Sequence, residues 1–356
     1  MSPRVVDWSL AACVWALFAT GVLSLYVSRP GEAWVFVAHG VLGFALVFVL
    51  VWKLRRVWSR IVATASWDER TGVGLASLTV VVVALASGFV WSVLGWELAV
   101  GGYNLLGWHM VFGTVLVVVV FGHALVRRKP LRLRRDVVAP GRRQFLAAGG
   151  VAVGAFAAWQ LQKPFATVAG LRGAKRRFTG SYELGSYGGN DAFPPTSWVA
   201  DSPAPVDGPL IVAGLVDAPL SLKVDSLGSA DEVEALLDCT SGWYTRQRWQ
   251  GVRVDRLLAR AGVHASARHV VVRSHTGYRW SFPLEEAPRL LLATRVEGTT
   301  LTHGHGAPVR LVAPGRRGFQ WVKWVTSIEL TDAPDVGAPA STVWSSATAA
   351  GRGTDS

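Results

Sequence analysis

The run NLLGWHMVFGTVLVVVVFGHALV, residues 104–126, contains no acidic or basic side chain, and its titratable groups are two histidines, His109 and His123. As a helix it would reach roughly 34 Å, enough to cross ~30 Å of hydrocarbon. Three similar runs precede it: Trp8–Val27, Trp34–Trp52 and Val73–Trp96. A fifth, Phe145–Leu161, is weaker and rich in Gly and Ala. Residues 1–130 therefore read as a four-span membrane α-helical bundle. The connector 131–176 contains the fifth, anchoring helix. Composition agrees: 51% of the 356 residues are hydrophobic and 17% charged, against about 25% charged in ordinary soluble domains. Only two cysteines occur, Cys13 and Cys239, which excludes a disulfide framework or a Cys-rich metal site.

The net charge of +12 could suggest nucleic acid, but its distribution argues otherwise. Residues 53–70 carry five basic and two acidic groups (+3), and residues 127–143 carry eight and one (+7), so two connectors between apolar runs supply +10 of the +12. That is a topology signal, and no nucleic-acid partner is expected. It places both basic connectors and the N-terminus in the cytoplasm. Five crossings then put everything after residue 176 on the extracytoplasmic side of a multi-pass protein of the cell membrane. Gly141-Arg142-Arg143-Gln144-Phe145-Leu146 resembles a twin-arginine export signal, used for domains exported already folded around a cofactor. The other reading is a positive stop before an ordinary span.

Histidines within a bilayer need a reason. His39 lies five residues into the run that starts at Trp34, and His109 five residues into the run that starts at Asn104. Both runs enter from the same side, so the two imidazoles share one depth. Two imidazoles at one level on neighbouring helices can ligate a haem iron from both faces, with Gly40, Gly43, Gly107 and Gly113 allowing close approach. His123 is fourteen residues further on, and the matching position holds Lys53, a poor haem ligand. One haem b is the expectation. The alternative is that these histidines bond backbone or hydroxyl groups between helices.

From about Arg177 the chain changes character. Short apolar runs at Leu210–Val216, Val270–Ser274, Arg310–Ala313 and Lys323–Leu330 are strand-like. Asp231–Leu237 and Val254–Ala261 have helical spacing. Residues 177–332 form one mixed α and β domain. The tail 333–356, poor in charge and rich in Ala, Ser, Thr, Gly and Pro, reads as disordered.

The domain's single thiol sits in Leu237-Asp238-Cys239-Thr240-Ser241-Gly242-Trp243-Tyr244. By residue type alone a lone cysteine is a small buried hydrophobe. Its context is richer: Trp249-Gln250-Gly251-Val252-Arg253-Val254-Asp255-Arg256-Leu257-Leu258 follows, then His305-Gly306-Ala307-Pro308-Val309-Arg310, then Gly318-Phe319-Gln320-Trp321-Val322-Lys323-Trp324. In these segments and their order the chain resembles the sulfite oxidase family of molybdopterin enzymes, over roughly 178–332.

The resemblance implies an α+β molybdopterin domain in which Cys239 matches the single protein ligand of molybdenum, a soft thiolate suited to an oxo-metal. It implies that Arg310, Arg316, Arg317, Lys323 and His305 face the pterin or its phosphate. Asn190 and Phe193, in Gly189-Asn190-Asp191-Ala192-Phe193-Pro194, match an early pterin-contacting segment, and Tyr278 an aromatic group near the metal. Arg246 and Arg248 are candidates for recognising an anionic substrate. Each cation could equally be a solvated surface charge. With no dimerisation domain and no soluble haem domain, the layout is more like the periplasmic methionine sulfoxide reductase catalytic subunits. The expectation is a molybdenum oxidoreductase acting on a small or protein-bound sulfur substrate, sulfoxide or sulfite. It would exchange electrons through the haem with the quinone pool or another carrier. The reading from a different class is an electron-transfer or binding subunit whose outer domain keeps the fold without the metal.

Overall fold

The computed structural model describes residues 2–126, 141–195, 206–342 and 345. The remainder of the basic connector (127–140) and of the tail (343, 344 and 346–356) lies outside the described residues. The chain divides into two compact units, Met1–Tyr182 and Glu183–Ser356.

The first unit is helical. Its helices are α1 (Pro3–Ser24), α2 (Trp34–Val62), α3 (Glu69–Phe89), α4 (Leu105–Val126) and α5 (Arg142–Val168). All five are long and apolar enough to cross a membrane by length and composition. Local chemistry fixes their ends. The Ser2 hydroxyl accepts the Val5 N–H at the start of α1, and Asp68 and Thr71 cap α3 reciprocally, which satisfies orphan N–H groups. Beyond α3 a π-helical turn, Val90–Leu94, stops at Gly95. Gly95 has φ of +73°, and a Cβ there would lie 2.5 Å from the Gly173 nitrogen, so no other residue fits.

Helix α1 packs on α2 and α4, α3 on α4, and α5 on α2. Val14, Leu46, Val81 and Leu116, one from each of the first four helices, form a buried layer. Large apolar side chains such as Val118, Phe121, Val153 and Val168 face outward, the inverse of a soluble bundle. Helix α2 runs ten residues past the end of its apolar stretch, where Lys53 and Arg56 reach Asp7 of α1 at 3.2 and 3.6 Å.

The second unit is mixed, α+β. Its elements are β1 (Leu210–Gly214), β2 (Leu220–Leu222), β3 (Asp231–Asp238), β4 (Trp243–Arg253), α6 (Val254–Ala261), β5 (His269–Ser274), β6 (Arg279–Pro283), β7 (Leu291–Val296), β8 (Thr299–Thr300), β9 (Arg310–Val312) and β10 (Val325–Thr331). One sheet runs β2-β1-β10-β5-β6, parallel only between β1 and β10. In the other, β7 joins β4, β8 and β9, and β3 pairs β4.

Two expectations are corrected here. Asp231–Leu237 is a strand, paired with β4 along its whole length. Its helical spacing is incidental, and cross-strand pairing overrides it. The start of the tail is also ordered. Asp335 pairs with Arg279, the Ser341 hydroxyl donates to Arg279 O at 3.2 Å and accepts its N–H, and Ala338 is buried. The fold therefore continues past residue 332.

Candidate active site

Strands β3 and β4 make a hairpin whose four-residue tip, Cys239–Gly242, carries the thiol. Cys239 N–H donates to Trp243 O at 2.8 Å and Gly242 N–H to Cys239 O at 3.1 Å. Behind the tip Asp238 and Arg317 form a fully buried ion pair at 2.7 Å, and Arg317 also donates to Cys239 O at 3.3 Å. Gly318 lies against the tip, where a Cβ would come within 3.2 Å of Cys239 Cα. The thiol is held by its backbone on three sides. Burial pushes its pKa up, while the Ser241 hydrogen bonds (N–H to Sγ, 3.5 Å) and the Arg317 charge pull it down.

Cys239 lines a cavity. Leu237 and Trp243 flank it on the same hairpin. Ser274, Thr276 and Tyr278 come from the β5–β6 turn, Phe193, Pro194 and Pro195 from the early segment, His305 from the loop into β9, Arg310 from the start of β9, and Gly318, Phe319, Trp321, Lys323 and Trp324 from the loop before β10.

Arg310 is the electrostatic centre of this wall. It is 2% exposed. Its guanidinium lies over Trp249 (4.9 Å) and Trp321 (5.7 Å) and donates to His305 O at 3.1 Å, leaving Nε without a partner. Burial lowers its pKa to about 9, and the charge on Cys239 opposes that shift. His305 packs on Phe193 with ring centroids 4.3 Å apart. Its Nε2–H donates to Asn190 O at 2.8 Å, so Nδ1 is left as an acceptor. Burial first, then the Arg310 charge, lowers its pKa to about 4, and the ring is neutral at physiological pH. Lys323 donates to Gly304 O and to Pro195 O (3.4 Å). The Tyr278 hydroxyl donates to Phe319 O.

Of the residues singled out from sequence, Cys239, Tyr278, Phe193, His305, Arg310 and Lys323 share the cavity wall. The others stand elsewhere. Arg316 is paired with Glu286, and Arg317 braces the Cys239 loop from behind. The Asn190 side chain is spent on Thr299, Thr300 O and the Thr302 N–H. Arg246 and Arg248 lie on the exposed face of β4, paired with Glu234 (3.4 Å) and Glu297 (2.7 Å). Strand alternation explains this: Trp243, Thr245, Gln247 and Trp249 point inward, so the residues between them point out. The same count would have found Trp243 in the wall and the buried Gln247, which bonds Gly185 O (2.7 Å) and the Gly189 N–H (3.2 Å). Trp321, Phe319 and Trp324 gave no signal beyond their place in the motif.

In the helical unit His39 and His109 come together, with ring centroids 6.0 Å apart and planes at 80°. Thr20 donates to Ala16 O, so its oxygen accepts from His39 Nδ1 at 2.9 Å. His109 Nδ1 donates to Ala84 O at 2.9 Å. Both rings therefore keep the Nε2 lone pair. Gly21 and Gly88 pack against the two rings. Gly40, expected there, instead meets Trp159 of α5.

Residues 202–338 match the family model of the oxidoreductase molybdopterin binding domain. The uncharacterized oxidoreductase YuiH of Bacillus subtilis (strain 168) is 34% identical over 127 residues, 34% of this chain and 64% of that protein. The protein-methionine-sulfoxide reductase catalytic subunit MsrP of Gluconobacter oxydans is 31% identical over 150 residues, 36% and 48% of the two chains. The MsrP of Xanthomonas campestris pv. campestris is 30% identical over 141 residues, 34% and 44%. The chain thus spans 44–64% of the length of these relatives. The sulfane dehydrogenase SoxCD from Paracoccus pantotrophus aligns over 38% of this chain and 40% of its own at 27% identity and a TM-score of 0.35. The family model, these relatives and a thiol set in a cation-lined cavity agree that residues 202–338 form a molybdopterin-binding oxidoreductase domain.

Proposed function

We propose that the protein is a membrane-anchored molybdenum oxidoreductase whose catalytic domain stands on the outer face and moves an oxygen atom to or from a sulfur centre, sulfoxide or sulfite. The observation that carries this reading is Arg310, a buried cation in the same cavity as Cys239 that has, among the described residues, no ion pair to a carboxylate and no partner for Nε. A buried charge without a counterion costs several kcal/mol. A thiolate-bound metal with its dithiolene and phosphate-bearing pterin would supply the missing anion. Cys239 would ligate the metal, Arg310 and Lys323 would face the anionic groups, and neutral His305 would offer Nδ1 to an N–H of the pterin. Tyr278, its hydroxyl fixed on Phe319 O, would limit where a substrate sits. When bound, molybdenum supplies oxygen-atom exchange coupled to two electrons, and the protein sets ligation and access.

The helical unit fits the role of electron carrier. Five apolar helices with outward-facing Val and Phe suit a lipid surroundings, and the basic connectors suit a cytoplasmic side. Arg142 and Arg143 open α5 in the order of a twin-arginine signal. Two imidazoles with ring centroids 6.0 Å apart would hold a haem iron between them. Nδ1–H groups held by Thr20 and Ala84 are what orients a metal-binding imidazole. His39 and His109 would hold one haem b, passing single electrons to or from quinone or another carrier.

Metal and haem analysis of the purified full chain, followed by dye-coupled turnover with sulfite and a panel of sulfoxides, tests the reading. Molybdenum, a b-type spectrum and turnover of one sulfur class are expected. His39→Ala or His109→Ala should remove the spectrum and His123→Ala should keep it. Protein without molybdenum would overturn the catalytic reading, and protein with molybdenum but no haem would leave the bundle an anchor.

A further inference from the structure

The segment that follows α5 covers the end of the bundle where the histidines lie. On one side Trp91 is three residues beyond Gly88, which packs on His109, so Trp91 is about 4.5 Å further along the axis. On the other side Phe36 is three residues before His39 and meets Phe178 edge-on at 5.9 Å. Against Trp91 lies Arg176. It is 8% exposed, with its guanidinium 4.0 Å over the Trp91 ring and 5.2 Å from that of Tyr182. Trp91 Nε1 and Arg176 Nη1 both donate to Gly180 O, at 3.1 and 3.3 Å. Among the described residues the other two guanidinium nitrogens, Nε and Nη2, have no hydrogen-bond partner. Burial lowers the pKa of this group, and Glu97 and Tyr182 only partly offset that.

A buried arginine with two idle N–H groups in a fork is a receptor for a planar, bidentate anion. We propose that Arg176 binds a carboxylate, a propionate, of the haem that His39 and His109 would hold. This rests on the haem reading. It adds a second anchoring point, which no part of the axial ligation requires, and explains why an arginine is buried between two aromatic rings with Glu97 acting on it only at longer range.

The test uses the full chain stripped of haem and reconstituted either with haem or with its dimethyl ester, whose propionates carry no charge. Wild-type protein should prefer haem by about tenfold or more, the value of a charged hydrogen bond. Arg176→Gln should bind the two alike and show a lower haem midpoint potential, because a positive charge that favours the reduced iron is gone. Arg176→Lys should restore part of both effects. Equal binding of the two haems by wild type, or a preference that survives in Arg176→Gln, would overturn the assignment while the histidine ligation stands. If wild type takes up neither form, the haem reading itself fails and this proposal with it. Should Arg176→Gln not fold, the wild-type comparison of the two haems decides alone.

Discussion

Trp15, Trp34, Trp58 and Trp96 of the helical unit leave more than half of their surface open, whereas Trp243, Trp249, Trp280, Trp321 and Trp324 of the mixed unit are buried. The treatment of polar groups differs as well. Within the five helices buried hydroxyls and imidazoles are satisfied by backbone carbonyls: Ser87 donates to Ala84 O one turn away, and His109 of α4 donates to the same carbonyl of α3. In the mixed unit whole charges go inside, as the Asp238–Arg317 pair and as Arg310. The first pattern suits a surrounding that rejects charge, where every polar group must be settled locally. The second suits water outside and an anion-binding cavity within. Oxygen-atom chemistry is therefore expected in the mixed unit and electron passage within the helices, the buried charge of the first unit, Arg176, lying in the segment after α5.

The largest expected effect tests that division. Cys239→Ala should bring oxygen-atom transfer to background and remove the metal, while the haem spectrum of the helical unit stays as it is. Stability should change little, since a small buried side chain is replaced by one slightly smaller. Turnover by this variant would place the chemistry elsewhere.

Next in size is the buried pair. Asp238→Asn leaves Arg317 charged and uncompensated directly behind the Cys239 loop. About 3–5 kcal/mol of stability should be lost from the mixed unit, measured by urea unfolding. Replacing both partners with apolar residues should be far milder, because no lone charge remains. A loss below about 1 kcal/mol in Asp238→Asn would mean that water reaches Arg317.

How much of this was legible depends on the range of the forces involved. The five helices were visible because a span needs only its own residues to be apolar. The His39–His109 pairing followed from counting five residues into two runs. Helix α6 was visible because Val254, Leu257, Leu258 and Ala261 mark one buried face. Strand β3 was misread because its pairing with β4 is not written in its own spacing. Arg246 and Arg248 were misplaced because closeness to Cys239 in sequence outweighed the alternation that turns them outward. Motifs brought out Arg310, but nothing local shows that it lacks a carboxylate. That depends on the fold, which buries Arg310 over Trp249 and Trp321 and against His305 O.

His305 gives a smaller effect with a defined sign. Its pKa is lowered to about 4 in the fold and is near 6.5 when unfolded. The unfolded chain therefore takes up the proton first as pH falls. Stability from the neutral ring is complete above about pH 6.5 and lost progressively toward pH 4, by up to about 3 kcal/mol. Unfolding midpoints measured against pH should show this slope, and His305→Gln should flatten it. A slope that survives in the variant assigns the titration to another group.

The smallest effect is the sharpest check on which face of β4 matters. Arg248 is more than half exposed, although its partner Glu297 is largely covered; Arg246 and Glu234 are both close to half exposed. Such pairs contribute about 0–1 kcal/mol each because water and salt screen them. Arg246→Ala and Arg248→Ala should therefore stay within about 1 kcal/mol of wild type in unfolding and leave kcat and KM for the sulfur substrate unchanged. The Arg248 backbone N–H donates to Glu297 at 2.7 Å in either case, so the strand keeps that tie. A rise in KM on losing either arginine would show that an anionic or protein-bound substrate also rests on the outer face of the β3–β4 hairpin. The cavity around Cys239 would then be only part of the recognition surface.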